Sequence, residues 1–198
     1  MGLTMNIKNI LDFVRKNFEE KDIIREEAIK ISRNIIRLSK EIVSYIHRDR
    51  FRDAEDRISL IEKNVLELNN KVKDLGEIYY SGIVRDCLME YVEAVLFYNI
   101  IVNNNIILLK NVPMTSYVLG LADLTGELRR KILDLLDKGD LEKAEKLYRV
   151  IEEIYYNLSS FIFPEAIIPG FRKKLDVMKY SLERTKSEIL LTKISRRY

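Results

Sequence analysis

Apolar positions recur along most of the chain at intervals of three or four residues, which is the spacing of one face of an α-helix. The pattern is clearest over residues 22–47, where an apolar stripe lies opposite a basic one. The apolar stripe contains Ile31, Ile35, Leu38, Ile42 and Tyr45, and the basic one contains Lys30, Arg33, Arg37, Lys40 and His47. Alternating strand patterns are scarce. The pattern therefore predicts a protein built almost entirely of amphipathic helices.

Capping residues, glycines and prolines separate these apolar patterns and set the predicted helix boundaries. Asp22 is expected to cap the second helix, Gly76 to stop the third, and Thr115 or Ser116 to cap the fifth. No composition shift or internal repeat indicates a domain linker. The sequence predicts a single all-α domain over residues 1–198, a seven-helix bundle. Its helices are predicted over residues 6–20, 22–47, 52–75, 80–103, 115–139, 140–159 and 171–194.

The composition agrees with this prediction and restricts the chemistry. Seven Gly and three Pro are too few for an all-β protein, and 47% hydrophobic residues are too many for a disordered one. With one cysteine, no leader pattern and no uncharged apolar run of about 18 residues, we expect a soluble cytoplasmic protein without membrane contact. A single Cys87 and a single His47 leave no zinc ligand set, so oxygen ligands and Mg²⁺ or Mn²⁺ are favoured.

Charge is segregated along the chain, although the net charge is only +3. Residues 30–52 carry seven Lys or Arg against two acids, residues 172–198 carry nine against three, and residues 53–171 carry thirteen against twenty. Basic segments attract polyanions such as nucleic acid, and an acidic middle attracts cations. The alternative is that these charges only solvate the outer faces of helices.

The stretch CLMEYVEAVLFYNIIV, residues 87–102, is almost entirely apolar, yet Glu90 and Glu93 lie in it one helical turn apart. Neither has a basic residue three or four positions away, and like charges at this spacing repel. Burying such carboxylates without compensation is costly. The pair must therefore bind a cation, share a proton or form salt bridges with another helix, and these residues alone leave all three open.

A second acidic pair, Asp123 and Glu127 in GLADLTGELRR, projects from one face of the fifth predicted helix. Gly120 and Gly126 are small enough to let another helix approach closely there. If the two acidic pairs face each other, four carboxylates converge and form an oxygen-ligand site for Mg²⁺. The alternative is an ordinary ion pair of Glu127 with the basic residues three and four positions further along the helix.

Three segments, EYVEAVLF (90–97), YVLGLADLTGELRR (117–130) and IPGFRKKLDVMKYSLERTKSE (168–188), resemble the translin/TRAX family, and most closely its TRAX branch. The resemblance implies a seven-helix subunit that assembles into dimers and then a hollow octamer with RNA or single-stranded DNA inside. In the TRAX branch the subunit is a magnesium-dependent endoribonuclease. The resemblance assigns catalysis and metal binding to Glu90, Glu93, Asp123 and Glu127.

The remaining expectations concern nucleic acid and partners. Arg33, Arg37 and Lys40 are expected to hold the phosphate backbone, and Arg85 is the one basic residue left where family members often carry His and Arg. His47 is expected to be an ordinary helix-end residue or a phosphate contact. The connector between the fourth and fifth predicted helices, around NVPMTS, is much shorter than in animal TRAX. Its length fits a compact archaeal-type homologue better. The sequence is compatible with a homo-oligomer and with a complex that contains a translin-like partner subunit. Two alternative functions remain open, a nucleic-acid-binding protein without catalytic activity and a helical scaffold.

Overall fold

The computed structural model describes residues 7–80 and 82–195 and consists of helices joined by short connections. Within these residues there are seven α-helices and no strand, which confirms the all-α class. A π-helical turn, Asn99–Asn103, continues the fourth helix. The helices are α1 (Ile7–His47), α2 (Phe51–Val72), α3 (Gly76–Tyr79), α4 (Gly82–Tyr98), α5 (Met114–Asp137), α6 (Leu141–Ser159) and α7 (Phe171–Ser195).

The seven observed helices differ from the seven predicted ones at the N-terminal end. The predicted helices over residues 6–20 and 22–47 form the single helix α1 of 41 residues, so Asp22 lies inside a helix and the prediction that it caps one was wrong. The physical reason is that residues 7–47 contain neither glycine nor proline, and a capping residue inside such a segment does not interrupt the helix. The predicted start at Asn6 lies outside the described residues.

Two other predicted boundaries were wrong. Helix α2 ends at Val72, where the Leu75 amide donates to the Val72 carbonyl (2.9 Å), so Gly76 begins the short helix α3 and does not stop α2. Helix α5 begins before Thr115, because Pro113 has a fixed φ and its carbonyl already accepts the first helical hydrogen bond. Asp140 does cap α6, since its side chain accepts from the Lys143 amide at 3.2 Å.

Helix α4 lies at the centre of the bundle, in contact with α1, α2 and α5. This position explains why the stretch over residues 87–102 is apolar on nearly every side. Helices α6 and α7 pack against α5 and against each other. No helix in the described part of the chain is both long and apolar enough to cross a membrane.

The two glycines of α5 play different roles. A Cβ atom at Gly120 would lie 2.6 Å from the Met89 carbonyl oxygen and 2.8 Å from the Val92 Cβ, so this glycine allows α4 and α5 to approach closely, as predicted. A Cβ atom at Gly126 would have nothing within 4 Å, so the prediction of a close helix contact there was wrong. The close approach at Gly120 brings the acidic residues of α4 and α5 together.

Candidate active site

Four carboxylates converge between α4 and α5. Gly120 of α5 lies against Met89 and Val92 of α4, and the negative charges of Asp123 and Glu127 raise the pKa of both Glu90 and Glu93, so the two acidic pairs lie on adjoining parts of these helices. The structure therefore assembles the quartet whose convergence the sequence left conditional.

Glu93 is the most strongly perturbed carboxyl group of the four. Its pKa is raised to about 8, first by burial and then by the charges of Asp123, Glu90 and Glu127, while Lys174 lowers it. At neutral pH the Glu93 carboxyl is therefore mostly protonated, unless a cation takes the place of the proton.

Glu90 is half-buried, and its pKa is also raised, first by burial and then by the neighbouring acids. Lys40 lowers the pKa of Glu90, so the basic side chain of α1 lies close enough to act on the quartet. Neither Glu90 nor Glu93 forms a hydrogen bond or an ion pair with another described residue. The two carboxylates of α4 are therefore the unneutralised half of the quartet.

The two carboxylates of α5 already have partners. Lys174 of α7 donates to both carboxylate oxygens of Asp123, at 2.6 Å from Oδ2. Glu127 Oε2 lies 2.5 Å from His47 Nε2 and 3.9 Å from an Arg130 guanidinium nitrogen. The expected alternative pair with Lys131 is absent, because that ammonium group lies 2.7 Å from Asp49.

His47 is the last residue of α1, as expected, and its side chain also lies against the acidic site. Its side chain is 6% exposed, and its ring packs on Phe97 with the centroids 5.1 Å apart. Nδ1 lies 3.3 Å from Asp134 Oδ2, so the imidazole bridges two carboxylates of α5. Its place at the C-terminal end of the basic stripe on α1 was the only indication in the sequence.

The fit of a divalent metal ion differs between the two helices. Unpaired carboxylates with raised pKa values are the groups on which a cation can replace a proton, so Glu90 and Glu93 fit Mg²⁺ or Mn²⁺. Asp123 and Glu127 fit only when Lys174 and His47 release them. Accordingly, among the residues that the structure describes, no three Asp, Glu, His or Cys side chains are placed to hold one ion in this arrangement.

The four basic residues predicted to bind nucleic acid lie on two helices. Arg33, Arg37 and Lys40 are exposed on α1, where Arg37 contacts Glu41 (2.5 Å) and Lys40 is the one that acts on Glu90. Arg85 lies on α4 in a cavity that also contains Asp123. The basic stripe of α1 and Arg85 thus approach the quartet from different helices.

A larger cavity, of about 1050 Å³, lies between the N-terminal half of α1, α3 and the start of α4. It contains none of the four clustered acids. Its wall includes Leu11, Val14 and Phe18, which are exposed apolar residues of α1. This cavity is therefore a feature of an uncovered apolar surface rather than of the acidic site.

Comparison with known proteins gives consistent matches over nearly the whole chain. The model of the translin family matches residues 23–194. An uncharacterised protein of Methanocaldococcus jannaschii is 29% identical over 184 residues, covering 91% of this chain and 81% of that protein. A translin-associated protein X homologue of Schizosaccharomyces pombe is 28% identical over 199 residues, covering 91% of this chain and 86% of that protein.

Solved structures are similar as well. The crystal structure of AfC3PO superposes with a TM-score of 0.89 at 34% identity, covering 95% of this chain and 99% of that chain. A structure of AfC3PO in complex with duplex RNA has a TM-score of 0.83 at 35% identity, covering 94% and 97% of the two chains.

Proposed function

The chain belongs to the translin family, as its motifs indicated, and we propose that it is a Mg²⁺- or Mn²⁺-dependent endoribonuclease. The observation that supports this proposal is the convergence of four carboxylates from α4 and α5, two of which form no ion pair with a described residue. A protein that only binds RNA gains nothing from carboxylates that repel each other and the RNA backbone. The complex of AfC3PO with duplex RNA supports RNA as the ligand.

Each residue of the quartet has a proposed part in the reaction. Glu90 and Glu93 would hold a divalent cation, with Glu127 as a further ligand. Asp123 would either complete the ligand set or orient the attacking water through a carboxylate oxygen. When bound, the cation supplies Lewis acidity and positive charge for the phosphoryl group. His47 keeps the Glu127 carboxylate in place, and Lys174 balances the charge of Asp123.

The basic stripe of α1 would bring a polyanion close to the quartet. Arg33, Arg37 and Lys40 would contact phosphates, which attracts RNA or single-stranded DNA without reading its bases. Lys40 lies near Glu90, so a phosphate on this stripe would lie next to the carboxylates. The predicted binding is therefore sensitive to salt and weakly selective for sequence.

We propose that the protein acts as a hollow homo-oligomer of eight subunits, or in a complex with a translin-like partner subunit. Exposed apolar side chains on the N-terminal half of α1 (Leu11, Phe13, Phe18) and after α6 (Phe161, Ile162) support association between subunits. RNA would then be held inside the shell.

One observation favours a second candidate function, that of an RNA-binding protein without nuclease activity. Asp123 and Glu127 already have hydrogen-bonding partners in Lys174 and His47, so half of the quartet has partners without a metal ion. In this alternative the same fold would hold RNA without cutting it.

A cleavage and retention assay separates these functions. Labelled RNA, single-stranded and as a duplex of the same sequence, is incubated with the protein in Mg²⁺ or in a chelator. We expect Mg²⁺-dependent cleavage, and loss of cleavage but not of RNA retention in Glu93→Gln. Glu153→Gln on α6, an exposed glutamate outside the quartet, is the matched control and should cleave like the wild type.

Each other result identifies a different function. Salt-sensitive retention without Mg²⁺-dependent cleavage would establish the binding protein, and neither retention nor cleavage would leave the helical scaffold. Cleavage by Glu93→Gln at the wild-type rate would show that the quartet is not the active site.

A further inference from the structure

A cavity of about 490 Å³ lies between α4, α5 and α7, with Asp123 in its wall. Three of its lining residues are cationic, namely Arg85, Lys173 and Lys174, while Asp123 is the only acidic one among the described residues that line it. The volume is in the range of about 300–1,000 Å³ that is typical of pockets for small molecules. The cavity is therefore large enough for one nucleotide and opens directly beside the quartet.

Gly126 lines this cavity and keeps it open. It lies within α5, where a glycine costs about 1 kcal/mol relative to alanine. Gly120 offsets a similar cost by allowing α4 and α5 to touch, whereas a Cβ atom at Gly126 would meet nothing within 4 Å. The missing side chain at Gly126 thus serves no packing contact in the described structure, but it leaves free space beside Asp123.

The charges around the cavity favour an anion. Asp123 is already balanced by Lys174, whose ammonium group contacts both of its oxygens. Lys173 is exposed and forms no ion pair with a described residue. Arg85 pairs only with its chain neighbour Asp86, at 3.3 Å, on the surface, where such a pair is weak. Two cations are therefore available to a phosphate group.

Apolar residues form another part of the wall. Met89 of α4 and Val177 of α7 both line the cavity, and Val177 is 60% exposed. A nucleobase buries its faces on apolar or aromatic side chains when a single strand is bound. The cavity thus presents cations for a phosphate and an apolar surface for a base.

We propose that this cavity, the Gly126 groove, binds the nucleotide next to the phosphodiester bond that is cut. Lys173 and Arg85 hold its phosphate, and Met89 and Val177 contact its base. The identity of the ligand as RNA rests on the proposed function, whereas the position of the groove rests on its contact with the quartet through Asp123.

Two variants and two matched controls test the groove. A Cβ atom would meet nothing within 4 Å at Gly126 or at Gly82, so Gly126→Leu places a side chain in the groove and Gly82→Leu places one at an open glycine outside it. Lys173→Ala removes one phosphate-binding charge, and Lys179→Ala removes an exposed lysine of α7 that does not line the groove. Circular dichroism and the mass of the native particle establish that each variant folds and assembles.

The measurement is the affinity for a labelled single-stranded RNA in a chelator, so that metal binding does not contribute. We expect Lys173→Ala to weaken binding by about tenfold, the effect of losing one charge-assisted contact, and Gly126→Leu to weaken it by a similar factor, because the leucine occupies the space of the nucleotide. Lys173→Ala should also make the slope of log affinity against log salt shallower by about 0.7. Both controls should bind RNA like the wild type.

If Gly126→Leu and Lys173→Ala both bind RNA as tightly as the wild type, the groove does not bind the nucleotide, even if the wild type cuts RNA. If the wild type binds RNA without cutting it, the proposed nuclease activity is wrong. The affinities of the variants would still test whether the groove binds RNA. A wild type that neither binds nor cuts RNA would overturn both proposals.

Discussion

The raised pKa of Glu93 predicts that this residue destabilises the folded protein in alkaline solution. Its pKa rises from 4.5 to about 8 on folding. Below about pH 4.5 the carboxyl is protonated in both states, and between about pH 4.5 and 8 only the unfolded chain releases the proton. Stability is therefore lost progressively as the pH rises through this window.

The magnitude follows from the size of the shift. Each pKa unit corresponds to 1.36 kcal/mol, so the shift from 4.5 to about 8 has an upper limit of about 4–5 kcal/mol. Because the side chain is partly exposed, solvent screening reduces the expected loss to about 2–3 kcal/mol. Glu93→Gln has a similar shape but no charge, so it should be more stable than the wild type by this amount at about pH 8.5 and nearly equal to it at about pH 4.5.

Urea unfolding at matched protein concentration, in a chelator, measures this difference at both pH values. Glu153→Gln serves as the control, because the exposed Glu153 should give no difference that depends on pH. A gap between Glu93→Gln and the wild type that is the same at both pH values would refute the reasoning. An inactive variant that is more stable than its parent would identify Glu93 as a residue kept for function.

Four further predictions concern this site and helix α5. Mn²⁺ should bind the wild type more tightly as the pH rises from about 6 to 8, because it displaces the proton of Glu93, and calorimetry showing pH-independent affinity would contradict this. His47→Ala should lower the free energy of unfolding by about 1–3 kcal/mol, because Glu127 loses its partner, and an unchanged urea midpoint would exclude that role. Gly120→Ala should destabilise the protein by about 1–3 kcal/mol, since its Cβ atom would lie 2.6 Å from a main-chain oxygen of α4. Gly126→Ala should stabilise it by about 0.5–1 kcal/mol, and thermal unfolding that ranks the two glycine variants in the opposite order would be inconsistent with their surroundings.

The sequence was sufficient to predict the helical class and the family, and it identified the two acidic pairs, whose convergence it left conditional. Glu90 and Glu93 are conspicuous because a helix enclosed by its neighbours has few polar positions, and the four-residue spacing of Asp123 and Glu127 is a local property of α5. These features depend on periodicity, which can be read along the chain.

The partners of the acids were not predictable from spacing. Lys174 and His47 come from α7 and α1, which are 51 and 80 residues away from the carboxylates that they contact. The two glycines of α5 illustrate the same limit, because similar local sequence surrounds one that is packed against α4 and one that faces open space. Tertiary contacts, rather than local pattern, decide such roles.

The unbroken course of α1 links two distant parts of the subunit. A helix of 41 residues extends about 60 Å, from the uncovered apolar surface at one end to His47 at the other. One helix therefore carries both an exposed apolar surface at its start and, at its end, the imidazole that contacts Glu127.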